Sequence, residues 1–420
     1  MILLCFIHKN PLKINLLNIL HITPSYKPAY IYGGTTVSIS RLCEAQADLL
    51  KNLNKKTNKV TVYTTTANGK DELEIDSNKP ILVDNVEVWY FKRQTKDHTH
   101  FSIGLLKKLF QTAQNFDAIH VHSWWNTVVI FSVLLCILKG VKVIVAPRGM
   151  LGEYTLQSQK KSPKSIFHKF IGKKLLKKSY LHLTAQIERE EVNYIKDNRV
   201  FVLPNLLSIP TNQNKITQEN KIIEDSKTFK LVFMSRIHHK KGIEILIEAI
   251  AQFNNQNDTN AKINLQLDLI GKSESIEYEN SLKNLISKKN LEDKVNWIGW
   301  LEGNQKFEHL EKSDLFVLPS FNENFANVVI ECLSTGTPVL VSDKVGLANY
   351  VKEKKLGWVC KTNNIESLLQ TLKVAINDKE KREEIQKTAP QIIQNDFSSQ
   401  KLAQKYIEIY EKIKNTSQTI

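Results

Sequence analysis

Short apolar runs alternate with stretches of helical spacing along most of the chain. Ile14 to Thr23 (INLLNILHIT) reads as a buried strand, and Val37 to Leu53 as a helix with Val37, Ile39, Leu42, Ala45, Leu49 and Leu50 at apolar positions. Strands are predicted at Val60 to Thr65, Val86 to Phe91, Ala118 to His122, Val141 to Ala146, His182 to Ala185 and Val200 to Leu203. Helices are predicted over Leu105 to Ala113, Val128 to Leu138 and Lys160 to Lys178. Ser208 to Lys227 is polar and aperiodic, the best linker candidate. A second series follows, with strands at Leu231 to Met234, Leu265 to Ile270, Val295 to Gly299, Leu315 to Leu318, Val339 to Ser342 and Gly357 to Cys360. Its helices are predicted at Ile243 to Phe253, Ser281 to Lys289, Lys306 to Lys312, after Ile365, after Glu380 and at Ser398 to Lys414. Strict alternation of strand and helix predicts α/β halves with doubly wound parallel sheets: an N-terminal domain over 14–207 and a C-terminal one over 228–397.

The most strongly punctuated stretch runs from Asp314 to Val339. Pro319-Ser320 ends the strand, and Asn322 and Asn324 are both good N-caps for a helix carrying Phe325, Val328, Val329 and Leu333 at core spacing. Gly336 suits the left-handed position after the last turn, and Pro338 prevents continuation. A helix opening at the carboxyl end of a buried strand aims unpaired N–H groups and a positive dipole end at the cleft, a setting for phosphate. Two carboxylates flank this helix: Glu323 in the loop and Glu331 eight residues on. Carboxylates accept paired hydrogen bonds from a diol, so the ligand they suit has both phosphate and hydroxyl groups. The bland alternative is an ordinary βα unit with solvated glutamates.

Glu323-Asn-Phe-Ala-Asn-Val-Val-Ile-Glu331, followed by Gly336-Thr-Pro-Val, resembles the E-x7-E signature of the retaining GT-B glycosyltransferases of family 4. The resemblance extends from about Ile14 to Lys414. It implies two Rossmann-like domains facing a central cleft, with the last helix, 398–414, crossing back to the first. It implies transfer of a hexose from a UDP- or GDP-sugar donor to a glycan or lipid-linked acceptor, with retention of configuration, as in bacterial cell-surface polysaccharide synthesis. By resemblance, Glu331 takes the ribose hydroxyls and Glu323 the transferred sugar, with Asn324, Phe325 and Ala326 along the donor. Ala326 stands where the family usually has glycine, so backbone approach there is tighter.

Other stretches supply cations and close backbone approach. Met234-Ser-Arg236-Ile-His-His-Lys240-Lys241-Gly242 follows a strand and precedes a helix, which puts Arg236 and Lys241 on one loop facing the Glu323 helix. Fixed cations there stabilise a departing nucleoside diphosphate, the role the resemblance gives this pair. Gly33-Gly34, between strand and helix, suits close approach to a ligand, and the resemblance places such a loop near donor and acceptor. Asp117-Ala-Ile-His120-Val-His122 puts both histidines on one strand face, one expected in the core and one in the cleft. The resemblance favours His122 as the one that reaches the donor sugar. A metal pair is the weaker reading of His-x-His, since no third ligand stands nearby in sequence. Arg148, at the end of the next strand, suits either an anion of the acceptor or donor diphosphate, or a structural salt bridge.

There is no Asp-x-Asp with which to hold a divalent metal on a diphosphate. The expectation is therefore no metal and no cofactor, with Arg236, Lys241 and the helix end in the ion's place. Net charge is +15, which suggests an anionic partner. Only seven of the 58 basic residues are arginine, and no helix-turn-helix or finger pattern is present, which argues against specific nucleic-acid reading. Lysine-rich 160–178, with Ile166, Phe167, Phe170, Leu175 and Leu176 interspersed, reads either as a basic amphipathic surface for anionic lipid or as a solvated helix face. The five cysteines are scattered without a C-x-x-C pair, as for buried thiols in a reducing compartment. The amino-terminal run Met1 to Ile7 makes a poor signal peptide, and the first dozen residues read as an extension upstream of the first strand. The expected location is cytoplasmic, peripheral at the inner face of the membrane. Two rival functions remain: a nucleotide-sugar epimerase or phosphorylase with similar halves, and a non-catalytic basic protein of the membrane surface.

Overall fold

The computed structural model of the protein describes residues 17–52, 59–152, 166–210, 228–256 and 263–416. Three expectations fall partly outside them: the first strand's start at 14–16, the basic helix at 160–165 and the linker at 211–227.

The apolar runs form two sheets. The first has eight strands in the order Val200–Val202, Tyr180–Leu183, Val143–Ala146, Ala118–His122, Asn18–Ile22, Lys59–Thr65, Val86–Phe91 and Ile81–Val83. All neighbours pair in parallel except the short edge strand Ile81–Val83, which runs antiparallel and was not expected. The second has six parallel strands in the order Val295–Gly299, Asn264–Ile270, Thr228–Met234, Leu315–Leu318, Val339–Ser342 and Gly357–Cys360. Both are doubly wound: the first strand sits inside the sheet, the next two parallel strands lie on one side and the later ones on the other. Such sheets open where the order reverses, at the carboxyl ends of the first and fourth strands. In the second sheet these are Thr228–Met234 and Leu315–Leu318, and in the first Asn18–Ile22 and Ala118–His122.

Caps decide where several helices begin. Ile276–Lys288 starts five residues before the expected Ser281, because the Ser275 hydroxyl accepts the N–H of Tyr278 and Glu277 and Glu279 occupy the first turn. Ala348–Glu353, a helix of six residues, is too short to show periodicity and was missed.

One face of the first sheet is covered by Ile103–Thr112, Thr127–Leu138 and Lys173–Lys178. The other is covered by Gly34–Asn52 and by Ser399–Asn415, which comes from the far end of the chain and buries Leu402, Tyr406, Ile407 and Tyr410 against it. Beneath those tyrosines lies a row of four buried histidines. His21 is in register with His120, and His122 with Ala146, whose methyl leaves room for His182 beyond it. Registered partners and alternate residues share a face of a sheet, so all four rings meet there.

Two predictions follow from this packing. Ile407→Ala, in a helix that follows the second domain in sequence, lowers the stability of the first by about 2–5 kcal/mol, read as an early loss of its thermal transition. The second concerns acid. Burial lowers the pKa of His21 from 6.5 to about 4 and that of His182 to about 3, and holds His120 and His122 well below the ordinary value. The unfolded chain therefore takes up protons below pH 6.5 while the folded chain does not. Stability is full above that pH and falls from 6.5 towards 4, by about 1.4 kcal/mol per pH unit for each such ring. Urea unfolding that gives a flat stability across that window contradicts the burial of the row.

Candidate active site

At the opening of the second sheet the loops after Thr228–Met234 and Leu315–Leu318 are locked together. The N–H of Phe321 donates to the carbonyl of Lys240 at 2.8 Å. Gly242 is left-handed, φ 68°, and a Cβ there would stand 2.4 Å from the carbonyl oxygen of Pro319. Only glycine fits so close an approach. The lock brings Lys241, almost buried, into an ion pair with Glu323. Arg236, expected beside Lys241 facing the helix, is instead mostly exposed and paired with Glu274 at 2.6 Å.

The backbone of Glu323 is gripped from the next connection. Its N–H donates to the carbonyl of Lys344 at 3.0 Å, and its carbonyl accepts from Gly346 at 2.8 Å. A Cβ on Gly346 would lie 1.8 Å from the carbonyl oxygen of Asn324. The following helix is Asn327–Ser334, and its start corrects the expected caps. Neither Asn322 nor Asn324 occupies the cap position. Ala326 does, with φ 68° and ψ 71° and no side-chain cap. Such a conformation is costly for any L-residue bearing a Cβ, which accounts for the glycine expected there. Asn324 turns away and donates to the Thr184 hydroxyl of the first domain at 2.7 Å. Phe325 lies in the second core, edge-on to Phe397, so its side chain faces inward. Glu331 is on the helix as expected and pairs with Lys306 at 2.7 Å, a cation the sequence reading missed.

The first domain meets this helix directly. Gly33 is left-handed, φ 67°, and a Cβ on Gly34 would lie 3.1 Å from the Asn327 side-chain nitrogen. Asn205 donates to the Asn327 carboxamide oxygen at 3.0 Å. It also accepts from Arg148 Nη1 at 2.6 Å, and the same Nη1 lies 3.2 Å from the Ser38 hydroxyl. Among the described residues none of the hydrogen bonds of Arg148 goes to a carboxylate, and its Nε–H is buried without a partner. Burial lowers its pKa, yet a guanidinium stays charged. The expected alternative of a structural salt bridge is not what is found. His122 corrects a second expectation. It is fully buried, with Nε2 bonded to His21 and Nδ1 to Arg148, so neither ring nitrogen faces the cleft. The third histidine that sequence spacing did not supply is His21, brought in by strand pairing.

Glu188 completes the rim. Its carboxylate accepts from the N–H and hydroxyl of Thr184 and from the N–H groups of Ala185 and Gly149, at 2.6–3.2 Å. Burial raises its pKa while those donors pull it back. Three residues with side chains are left-handed in the connections that follow strands or open the helix at the cleft: Ser123 (φ 77°), Arg148 (φ 52°) and Ala326 (φ 68°). Strain of this kind persists where the surroundings over-determine it, and it clusters at functional sites. The sequence signals for the missed residues were faint: lone histidines inside apolar strands, and a glutamate in an otherwise ordinary acidic turn.

Residues 214–392 match the family model described as glycosyl transferases group 1. An uncharacterized glycosyltransferase of Haemophilus influenzae is 30% identical over 43% of this chain and 48% of its own length. A D-inositol 3-phosphate glycosyltransferase of Pseudarthrobacter chlorophenolicus is 22% identical over 80% of this chain and 81% of its own. The chain spans about half the length of most of the curated relatives it matches. The crystal structure of Anabaena HepE with UDP and glucose superposes with a TM-score of 0.66 at 18% identity, covering 94% of this chain and 100% of that one. The chain thus has the GT-B fold, and its residues 214–392 are similar to the group 1 glycosyl transferases.

Proposed function

We propose that the protein is a retaining glycosyltransferase that moves a hexose from a UDP- or GDP-sugar to a lipid-linked glycan acceptor of cell-surface polysaccharide. The observation that carries this reading is the Lys241–Glu323 pair at the opening of the second sheet, beneath a helix start that touches Gly34 and Asn205 of the first domain. A donor lying along this opening would exchange the ion pair for contacts of its own, with Lys241 on the diphosphate and Glu323 on the sugar hydroxyls. Arg236 swings from Glu274 to the second phosphate. Glu331, at 16% side-chain exposure, remains within reach of solvent and takes the ribose diol in place of Lys306. Arg148, a cation without a carboxylate, holds an anion of donor or acceptor. Charge developing on the leaving diphosphate is thereby met by fixed cations, so no metal is required. The leaving phosphate assists deprotonation of the acceptor on the same face of the sugar. Relatives similar over 41% to 50% of this chain are named for colanic acid, lipopolysaccharide and capsular polysaccharide synthesis, which supports the acceptor class.

The lipid part of this reading rests on the outer face of the first domain. Ile103–Thr112 and Lys173–Lys178 flank Thr127–Leu138. Ile103, Phe110, Phe131, Leu138, Ile166, Phe170 and Ile171 on this face are each between 43% and 72% exposed. Over 103–112, 127–138 and 166–178 there are seven lysines and no acidic residue. Apolar side chains ringed by cations alone suit an anionic bilayer surface. No helix among the described residues is long and apolar enough to cross a membrane.

Three expectations test the proposal. In a screen of UDP- and GDP-sugars with excess chelator present, turnover persists. Glu323→Gln cuts kcat by about 100-fold or more with nucleoside diphosphate binding near normal, while Glu331→Gln mainly raises the donor KM. Equal losses of donor affinity in both, with kcat kept, remove the catalytic role of Glu323, and no turnover of any donor favours a non-catalytic protein. Vesicles containing phosphatidylglycerol sediment the protein and pure phosphatidylcholine vesicles do not. Replacing Lys173, Lys174, Lys177 and Lys178 by glutamate weakens that binding by about tenfold or more; unchanged sedimentation contradicts the membrane reading.

A further inference from the structure

We infer that helix Ser399–Asn415 sets the orientation of Arg148 through one directional chain of hydrogen bonds, in which Tyr410 is a positioning residue. The inference rests on the reading of Arg148 as an anion-holding group.

The chain can be followed atom by atom. The Leu203 carbonyl can only accept, so His182 Nε2, at 2.9 Å, donates to it. His182 Nδ1 is then the acceptor of its ring and takes the Nε2–H of His120 at 3.3 Å. His120 Nδ1 in turn must accept, and the Tyr410 hydroxyl stands 2.7 Å away to donate. That hydroxyl oxygen accepts from Gln46 Nε2 at 3.3 Å, which leaves Gln46 Oε1 to accept from His21 Nε2 at 2.8 Å. His21 Nδ1 accepts from His122 Nε2 at 2.9 Å, and His122 Nδ1 from Arg148 Nη2 at 3.3 Å. A guanidinium can only donate. Both ends therefore impose the same direction, and all four imidazoles are neutral Nε2–H tautomers. Charging any ring would set two donors against each other, in line with the lowered histidine pKa values.

The chain closes on itself through the segment that leaves the first domain. The Tyr406 hydroxyl shares the His182 Nε2–H with the Leu203 carbonyl, as a second acceptor at 2.8 Å, and donates to the Pro204 carbonyl at 3.1 Å. The next residue, Asn205, joins Arg148 Nη1 to Asn327 at the start of the second domain's helix. Thus the crossing helix, the outgoing connection and the other domain are all fastened to one guanidinium. A movement of either crossing relative to the sheet must break a link or carry Arg148 with it.

His21, His120 and His122 also lie close enough to hold a cation, their ligand atoms within 4.8 Å of one another. Each of these rings already uses both nitrogens in the chain, and the group includes a guanidinium but no carboxylate. A hydrogen-bonded relay accounts for every atom, and a metal would displace protons that both ends of the chain require.

The test combines a spectrum with a binding cycle. Long-range proton–nitrogen correlation on protein labelled at histidine and arginine reads each tautomer directly. We expect four neutral Nε2–H rings near neutral pH, and in Tyr410→Phe a shift of the His122 ring and Arg148 Nε resonances, although the hydrogen bonds of Tyr410 go to Gln46 and His120. UDP and inorganic phosphate are titrated in separate arms. Tyr410→Phe weakens whichever of them Arg148→Lys weakens, by about fivefold to tenfold, and the double variant binds no worse than Arg148→Lys alone. An Nδ1–H or charged ring, additive losses, or a lowered melting temperature with both resonances unmoved would overturn the relay. If the resonances shift but neither variant alters either affinity, the relay stands and the anion-holding role of Arg148 falls.

Discussion

Thr228–Met234 and Leu315–Leu318 lie side by side in the second sheet, yet one leads to the strands on its left and the other to those on its right. Right-handed crossovers carry their connections to opposite faces, so the loops part at the carboxyl ends and leave a crevice. Everything polar in the second domain's site lies on the rim of that crevice. Lys241 enters from one loop and Glu323 from the other, and the contacts that join them are backbone ones: Gly242 against Pro319 and Phe321 to Lys240. Side chains could vary without moving this frame, but a Cβ at Gly242 or Gly346 could not be admitted. The ion pair thus sits on a rigid mount, which is what positioning a reacting bond demands.

The first domain meets the same problem with different chemistry. Its crevice is closed from below by a helix borrowed from the far end of the chain. Burying four imidazoles, a glutamine and two tyrosines is affordable in energy only because each donor finds an acceptor. The chain ends in a guanidinium with one N–H left over. Among the described residues no carboxylate bonds to this buried cation, though the charge of Glu188 attracts it; that is a costly arrangement in an empty protein, and a reasonable one in a protein that receives an anion there. Lys241 and Glu323 are the complementary case, two charges that satisfy each other until a ligand with both phosphate and hydroxyl groups offers each a better partner.

Local signals read well where a local rule governs. Leu315–Leu318 and Val339–Ser342 begin and end where the apolar runs do, because central parallel strands are buried on both faces. Cap and strain effects were less legible. Two asparagines looked like caps, but the loop is gripped by Lys344 and Gly346, and the resulting turn puts Ala326 rather than either asparagine at the cap. Arg236 shows the limit for long exposed side chains, whose direction depends on a partner such as Glu274 that lies in another connection.

The sequence by itself determined the two doubly wound halves, the strand–loop–helix units and the placing of Arg236, Lys241 and Glu323 in loops after strands and of Glu331 on the helix that follows, since these follow from hydrophobic period and from chain punctuation over a dozen residues. Tertiary structure alone decided which of these groups meet. His122 was read as facing the cleft from the resemblance, since alternation tells only that it shares a face with His120; the pairing of Asn18–Ile22 with Ala118–His122 and the arrival of Tyr406 and Tyr410 made that face an interior. The partners of Arg148 lie 26, 57 and 110 residues away from it in sequence, and Tyr410 lies 290 from His120. Contacts of that span are set by strand order and helix crossing, which no window of sequence contains.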